Sequence, residues 1–122
     1  MSQEGPLAEK SYKFALDIIV VCSALNERRQ FVIATQLLRC GTSIGANIRE
    51  AMGGQSKADF ISKLSIAFKE CLEAEYWICL LRDSNILDTT TADRLLSQDF
   101  ELKRLLSRSL LTAKQNLNNQ KA

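Results

Sequence analysis

The sequence predicts an all-α protein folded as an antiparallel, up-down-up-down four-helix bundle. Three observations carry this expectation. The 122 residues include 18 leucines but one proline and five glycines, a composition that favours helices over strands. Apolar residues recur at helical spacing in four long segments. The polar stretches between the segments run to roughly four to eight residues, and links that short join antiparallel neighbours. Residues 1–122 read as a single domain, with an ordered core over about 7–117 and short frayed tails.

The first helix is expected from about Leu7 to Asn26. Its stripe is Leu7, Phe14, Ile18, Val21 and Leu25, and Leu16, Ile19, Val20 and Cys22 widen it well beyond a narrow seam. The second is expected over Phe31 to Met52, with Ile33, Leu37, Ile44, Ile48 and Met52 facing inward. Beside that stripe runs a polar one, Gln36, Arg39, Ser43, Asn47 and Glu50, at spacings of three and four. We read it as packing and assembly chemistry: Gln36, Arg39, Asn47 and Glu50 should be at least partly buried and bonded to the third helix. Gly41 and Gly45 either let another backbone come close or break the helix, since glycine costs about 1 kcal/mol relative to alanine. Gly53 and Gly54 end it as a C-cap.

The third helix opens at Ser56, an N-cap with Asp59 three residues on, and runs to about Asp83. One seam is Phe60, Leu64, Ala67, Cys71, Ala74, Ile78 and Leu81. Another face carries Ile66, Glu70, Glu73, Trp77 and Leu80. That face is a candidate interface, because a tryptophan beside aliphatic residues outside the main seam suits contact with a second chain. Thr90 to Asp93 supplies a Thr-x-x-Asp cap for the fourth helix, expected over about Thr91 to Leu117. Its stripe is Leu95, Leu102, Leu106, Ala113 and Leu117.

Charge and cysteine content limit the functions available. The formal net charge is +2, distributed as −2 over residues 1–27, +4 over 28–57, −3 over 58–88 and +3 over 89–122. The absence of histidine excludes imidazole as base, shuttle or metal ligand. No apolar run is long enough to span a membrane, and Met1 to Pro6 does not read as a secretory signal, so a cytoplasmic location is expected. Cys22, Cys40, Cys71 and Cys79 fall inside apolar helical patterns with no C-x-x-C pair; they read as buried, reduced thiols. Gly53-Gly54-Gln55-Ser56-Lys57 follows a helix and lacks the P-loop frame. Carboxylates that a hard metal would need are thin: Glu50, Glu70, Glu73 and Glu75 on the middle helices, Asp17 on the first, Asp99 and Glu101 on the fourth.

The run Gln36-Leu37-Leu38-Arg39-Cys40-Gly41-Thr42-Ser43-Ile44-Gly45-Ala46-Asn47-Ile48-Arg49-Glu50-Ala51 resembles a signature of the family called "four helix bundle protein". That family is also known as the protein encoded by intervening sequences in bacterial large-subunit ribosomal RNA genes. Ser56-Lys57-Ala58-Asp59-Phe60, Leu64-Ser65-Ile66-Ala67 and Glu75-Tyr76-Trp77 continue the resemblance, which spans about Tyr12 to Leu87 and loosens in the fourth helix. It implies a small bacterial cytoplasmic bundle that assembles as a homopentamer, with no catalytic residues to carry over. The shape is also similar to the accessory protein of diversity-generating retroelements, which works with a reverse transcriptase. Cys40 departs from the serine, and Arg49 from the small or acidic residue, that the resemblance leads one to expect there.

The resulting expectation is a non-enzymatic, oligomeric interaction or scaffold protein with no cofactor, no metal and no small-molecule substrate. It would bind RNA or DNA through basic surfaces. Arg28, Arg29 and Lys57, in the links, would share one rim, and Lys103, Arg104, Arg108 and Lys114 would form a broad patch on the fourth helix. The alternatives are an accessory protein of a mobile element that partners a reverse transcriptase, and a carboxylate- and magnesium-dependent enzyme.

Overall fold

The computed structural model describes residues 5–121. They form four helices: α1 (Gly5–Glu27), α2 (Phe31–Met52), α3 (Lys57–Asp83) and α4 (Thr89–Lys121). Each helix packs beside the next in the chain, α4 closes the ring against α1, and the backbones of the diagonal pairs stay apart. The expected tails fall partly on Met1 to Glu4 and Ala122, which lie outside the described residues. Over Asn118 to Lys121 the chain is helical instead of frayed. No glycine or proline follows Thr89, so nothing in the sequence stops α4 earlier.

The inner stripes meet along the bundle axis. Phe14, Ile18 and Leu25 of α1 face Leu37, Ile44 and Ile48 of α2; Leu64, Ile78 and Leu81 of α3 and Leu95, Leu102 and Leu106 of α4 complete the core, all fully buried. Each such side chain contributes about 1.5–3 kcal/mol through removal from water. Met52 departs from its stripe at 47 % exposure, because it stands on the last turn of α2, at the end of the bundle.

α2 passes unbroken through Gly41 and Gly45. At Gly41 a Cβ would lie 2.9 Å from both Ile18 Cγ1 and Ile18 Cγ2, so the glycine makes room for that side chain, while the α1 backbone comes nearest at Gly45, where Ser11 O would lie 3.5 Å from a Cβ. The packing offsets the helix-propensity cost of about 1 kcal/mol per glycine.

The helix ends are set locally. Ser56 caps α3, accepting from the Asp59 N–H at 3.1 Å. The cap of α4 is Asp88, two residues before Thr90: its Oδ2 accepts from the Thr91 N–H at 2.9 Å. Aspartate caps at least as well as threonine, so the helix starts at the first available oxygen. α2 ends at Gly53 without a left-handed residue (φ −93°). α1 and α3 each end in a Schellman turn. Arg29 (φ 62°) donates to Asn26 while Gln30 donates to Leu25; Asn85 (φ 63°) donates to Arg82 while Ile86 donates to Leu81. The Arg28 guanidinium donates to the Ile86 carbonyl and ties the two turns together. The α1–α2 and α3–α4 turns thus share one end of the bundle, hereafter the double-turn end. The α2–α3 link and the C-terminal half of α4 meet at the other, the single-turn end.

Candidate functional site

The polar stripe of α2 closes the seam with α3. Arg39 reaches Glu73 at 2.5 Å and Glu70 at 3.6 Å, and the Trp77 indole N–H donates to the same Glu73 oxygen at 3.1 Å. The Trp77 bond, with Arg39 beside it, holds the Glu73 carboxyl below its ordinary range, while burial pushes Glu70 up. Glu50 takes Lys63 at 3.2 Å. Gln36, Ser43 and Asn47 are half-buried between these pairs. Three expectations need correction: Arg39 and Glu50 are exposed, Asn47 donates to Ser43 of its own helix, and the Gln36 side chain forms no hydrogen bond among the described residues. Long side chains bridge over the seam with their stems covered and their heads in water.

The face carrying Ile66, Glu70, Glu73, Trp77 and Leu80 is only partly open. Trp77 is half-buried against the core and its N–H is already used, while Ile66 and Leu80 are each 40 % exposed. A larger apolar surface lies on α1 and α2. Tyr12, Leu16 and Ile19 are all about half exposed and share one side of α1, at spacings of four and three. Tyr12 lines a shallow groove with Thr42, Ala46 and Arg49 of α2, floored by small residues such as Ala15 and Gly45. Leu38 (37 %) and Phe31 (56 %) of α2 add to the exposed apolar surface, and Val20 (68 %) stands on the α4 side of α1, lining a depression with Thr91 and Arg94. The signal was present in the sequence as the extra width of the first helix's apolar stripe.

Antiparallel topology separates the basic residues. Arg28 and Arg29 sit at the double-turn end, whereas Lys57, Arg108 and Lys114 belong to the single-turn end, so the single rim expected from the links does not form. Lys103 is drawn inward, its side chain 17 % exposed, bonded to Glu75 at 2.5 Å and 4.0 Å from Asp99. Arg104 pairs with Glu101 at 3.8 Å. Among the described residues, Arg29, Lys57, Arg108 and Lys114 form no ion pair.

Asp99, which the sequence offers only as one of a thin set of carboxylates, is buried in the core at 1 % exposure. Its place between Leu95 and Leu102, at spacings of four and three, is the signal that marks it as inward-facing. One carboxylate oxygen has no hydrogen-bond partner, and burial pushes its pKa up to about 7 in spite of Lys103. Cys71 bonds to it, and burial with the nearby Asp99 charge pushes that thiol well up. Burial also raises Cys22 to about 11 and Cys40 to about 12. The four cysteines are free, three of them buried, and Cys79 is half-buried. Among the described residues no group of three or more acidic or cysteine side chains is placed to hold a metal ion. No helix there is long and apolar enough to cross a membrane.

The fold and signature stripe define a class of small helical-bundle proteins. The chain belongs to the 23S rRNA-intervening sequence protein family, whose model matches residues 5–108. It is similar to a solved protein of unknown function from the S23 ribosomal protein family of Bacteroides thetaiotaomicron VPI-5482, at 42 % identity and a TM-score of 0.84, over 86 % of this chain and 98 % of that one. A search of curated proteins finds no match.

Proposed function

We propose that the protein works without chemistry of its own, as a self-associating bundle that holds nucleic acid by its phosphates. The observation that supports assembly is the α1–α2 outer face, where Tyr12, Leu16, Ile19 and Leu38 stand in water at 37–51 % exposure. Apolar side chains grouped on one surface of a small chain are characteristic of an interface. The covering partner is a second copy, in keeping with the cyclic homopentamer that the family resemblance implies. The nucleic-acid reading is supported by Lys57, Arg108 and Lys114 at the single-turn end, three cations without ion pairs among the described residues. Base-reading chemistry has no evident source, so binding is sequence-tolerant.

The test is light scattering on the purified protein, followed by anisotropy titration of labelled RNA at about 50 and 200 mM salt. Expected are an oligomer whose mass falls to that of the monomer in Leu16→Glu, and RNA affinity that drops steeply with salt. A monomeric wild type at micromolar concentration overturns the assembly reading. Absence of RNA and DNA binding at the lower salt overturns the nucleic-acid reading and leaves a protein partner.

A further inference from the structure

We infer that the groove at the single-turn end is a binding site for a nucleoside phosphate. The inference rests on the nucleic-acid reading above and gives it a location. The groove, about 720 Å³, lies between the α2–α3 link and the C-terminal half of α4. That volume is within the range of small-ligand sites, about 300–1,000 Å³.

Its chemistry has three parts. Buried Ala51 and Ala113 form an apolar floor, flanked by half-buried Phe60 and by Met52 at 47 % exposure. Lys57 and Arg108 supply two positive charges, and neither has an ion-pair partner among the described residues. From α4, Ser109, Thr112 and Asn116 line the groove about a turn apart, and their side chains make no hydrogen bond among the described residues. Among the described residues no carboxylate lines the groove. Glu50 and Asp59 line an adjoining depression that shares Gly54, Gln55 and Ser56 with the groove, and there Lys63 neutralises Glu50.

This combination selects among anions. Inorganic phosphate would satisfy Lys57 and Arg108 and leave the Met52–Phe60 surface unused. A fatty acid or lipid tail would cover that surface but press hydrocarbon against Ser109, Thr112 and Asn116, which then lose water without gaining a bond. A nucleoside phosphate uses all three parts: phosphate on the cations, the flat face of the base on the apolar wall, and the base edge or sugar hydroxyls on the polar side chains. A free nucleotide and one unit of a single strand carry this same chemistry. A base already paired in a duplex does not offer its face.

Four probes separate these sources: inorganic phosphate, adenosine monophosphate, a labelled ten-nucleotide oligo(rA), and the same strand paired with oligo(rU). Each is titrated into wild type, Lys57→Ala/Arg108→Ala, Met52→Ser, and the charge-matched control Lys69→Ala/Arg94→Ala. We expect the groove double variant to weaken adenosine monophosphate and oligo(rA) by about tenfold or more, and the control by less than about twofold. Met52→Ser should weaken the nucleotide while leaving inorganic phosphate unchanged. Equal binding of oligo(rA) by all variants overturns the groove and leaves the nucleic-acid reading standing. Nucleotide binding that depends on Lys57 and Arg108, with no oligonucleotide bound, keeps the groove and removes the nucleic-acid reading. Failure of nucleotide and oligonucleotide alike overturns both.

Discussion

Asp99 has the most unusual environment of any single residue in this bundle. It is a carboxyl held in the core, with Lys103 of its own helix on one side and Cys71 and Glu75 of α3 on the other. Its pKa is raised from 3.8 to about 7 chiefly by burial, so between those values the folded protein binds a proton that the unfolded chain has released. Stability from this group is therefore highest below about pH 4, falls as pH rises toward 7, and is lowest above it. Asp99→Asn removes the ionisable group at nearly constant shape. Its gain over wild type should be larger at pH 8 than at pH 5, by an amount of the order of a few kcal/mol, read by urea unfolding at both values. An equal difference at the two pH values would mean that Asp99 ionises normally. The sequence carried the information: the stripe Leu95, Leu102, Leu106 leaves a gap at the position Asp99 fills. An acid in a core stripe is easily passed over because carboxylates are rarely buried without a partner. The exposure of Arg39 was not legible in the same way, since periodicity gives the side of a helix but not how far a long side chain reaches over its edge.

Gly41 and Gly45 sit one turn apart on α2 and look equivalent in the sequence, yet the bundle treats them differently. A methyl group at Gly41 collides with both branches of Ile18 at 2.9 Å, whereas at Gly45 its nearest neighbour is Ser11 Oγ at 3.4 Å. Gly41→Ala should therefore destabilise by about 1–3 kcal/mol, the usual cost of overpacking, in spite of its better helix propensity. Gly45→Ala should be neutral or stabilising by up to about 1 kcal/mol. Thermal unfolding of the two variants decides it, and in an Ile18→Ala background, which lacks both Cγ atoms, Gly41→Ala should cost less than it does in wild type. Helix existence and inner faces were legible because each segment repeats its pattern over five or more turns. Two features of the ends were less legible: which of several adjacent Asp and Thr residues caps α4, and the left-handed Arg29 where glycine is usual, since neither has a periodic signal.

Ring closure in the whole molecule leaves a half-exposed apolar face on α1 and α2. If copies cover one another there, folding and association are linked, and the melting temperature rises with protein concentration. Melting curves across about a hundredfold range should show this rise in wild type and lose it in Leu16→Glu. A concentration-independent melting temperature in wild type would mean that the face stays wet in solution. Placing the basic residues needed one more step of topology than the sequence pattern supplies. Successive links of an up-down bundle alternate between its ends, which parts Arg28 and Arg29 from Lys57 and Arg108. That separation makes the subunit directional. Rotational symmetry preserves direction, so in a closed ring with its bundles along the axis every single-turn end lies on the same side. The opposite side shows only double-turn ends. The two sides of such a ring are chemically unlike, and a flexible strand captured at one groove remains at high effective concentration before the next. Affinity would then grow with strand length in increments set by the spacing of neighbouring subunits, up to one circuit of the ring.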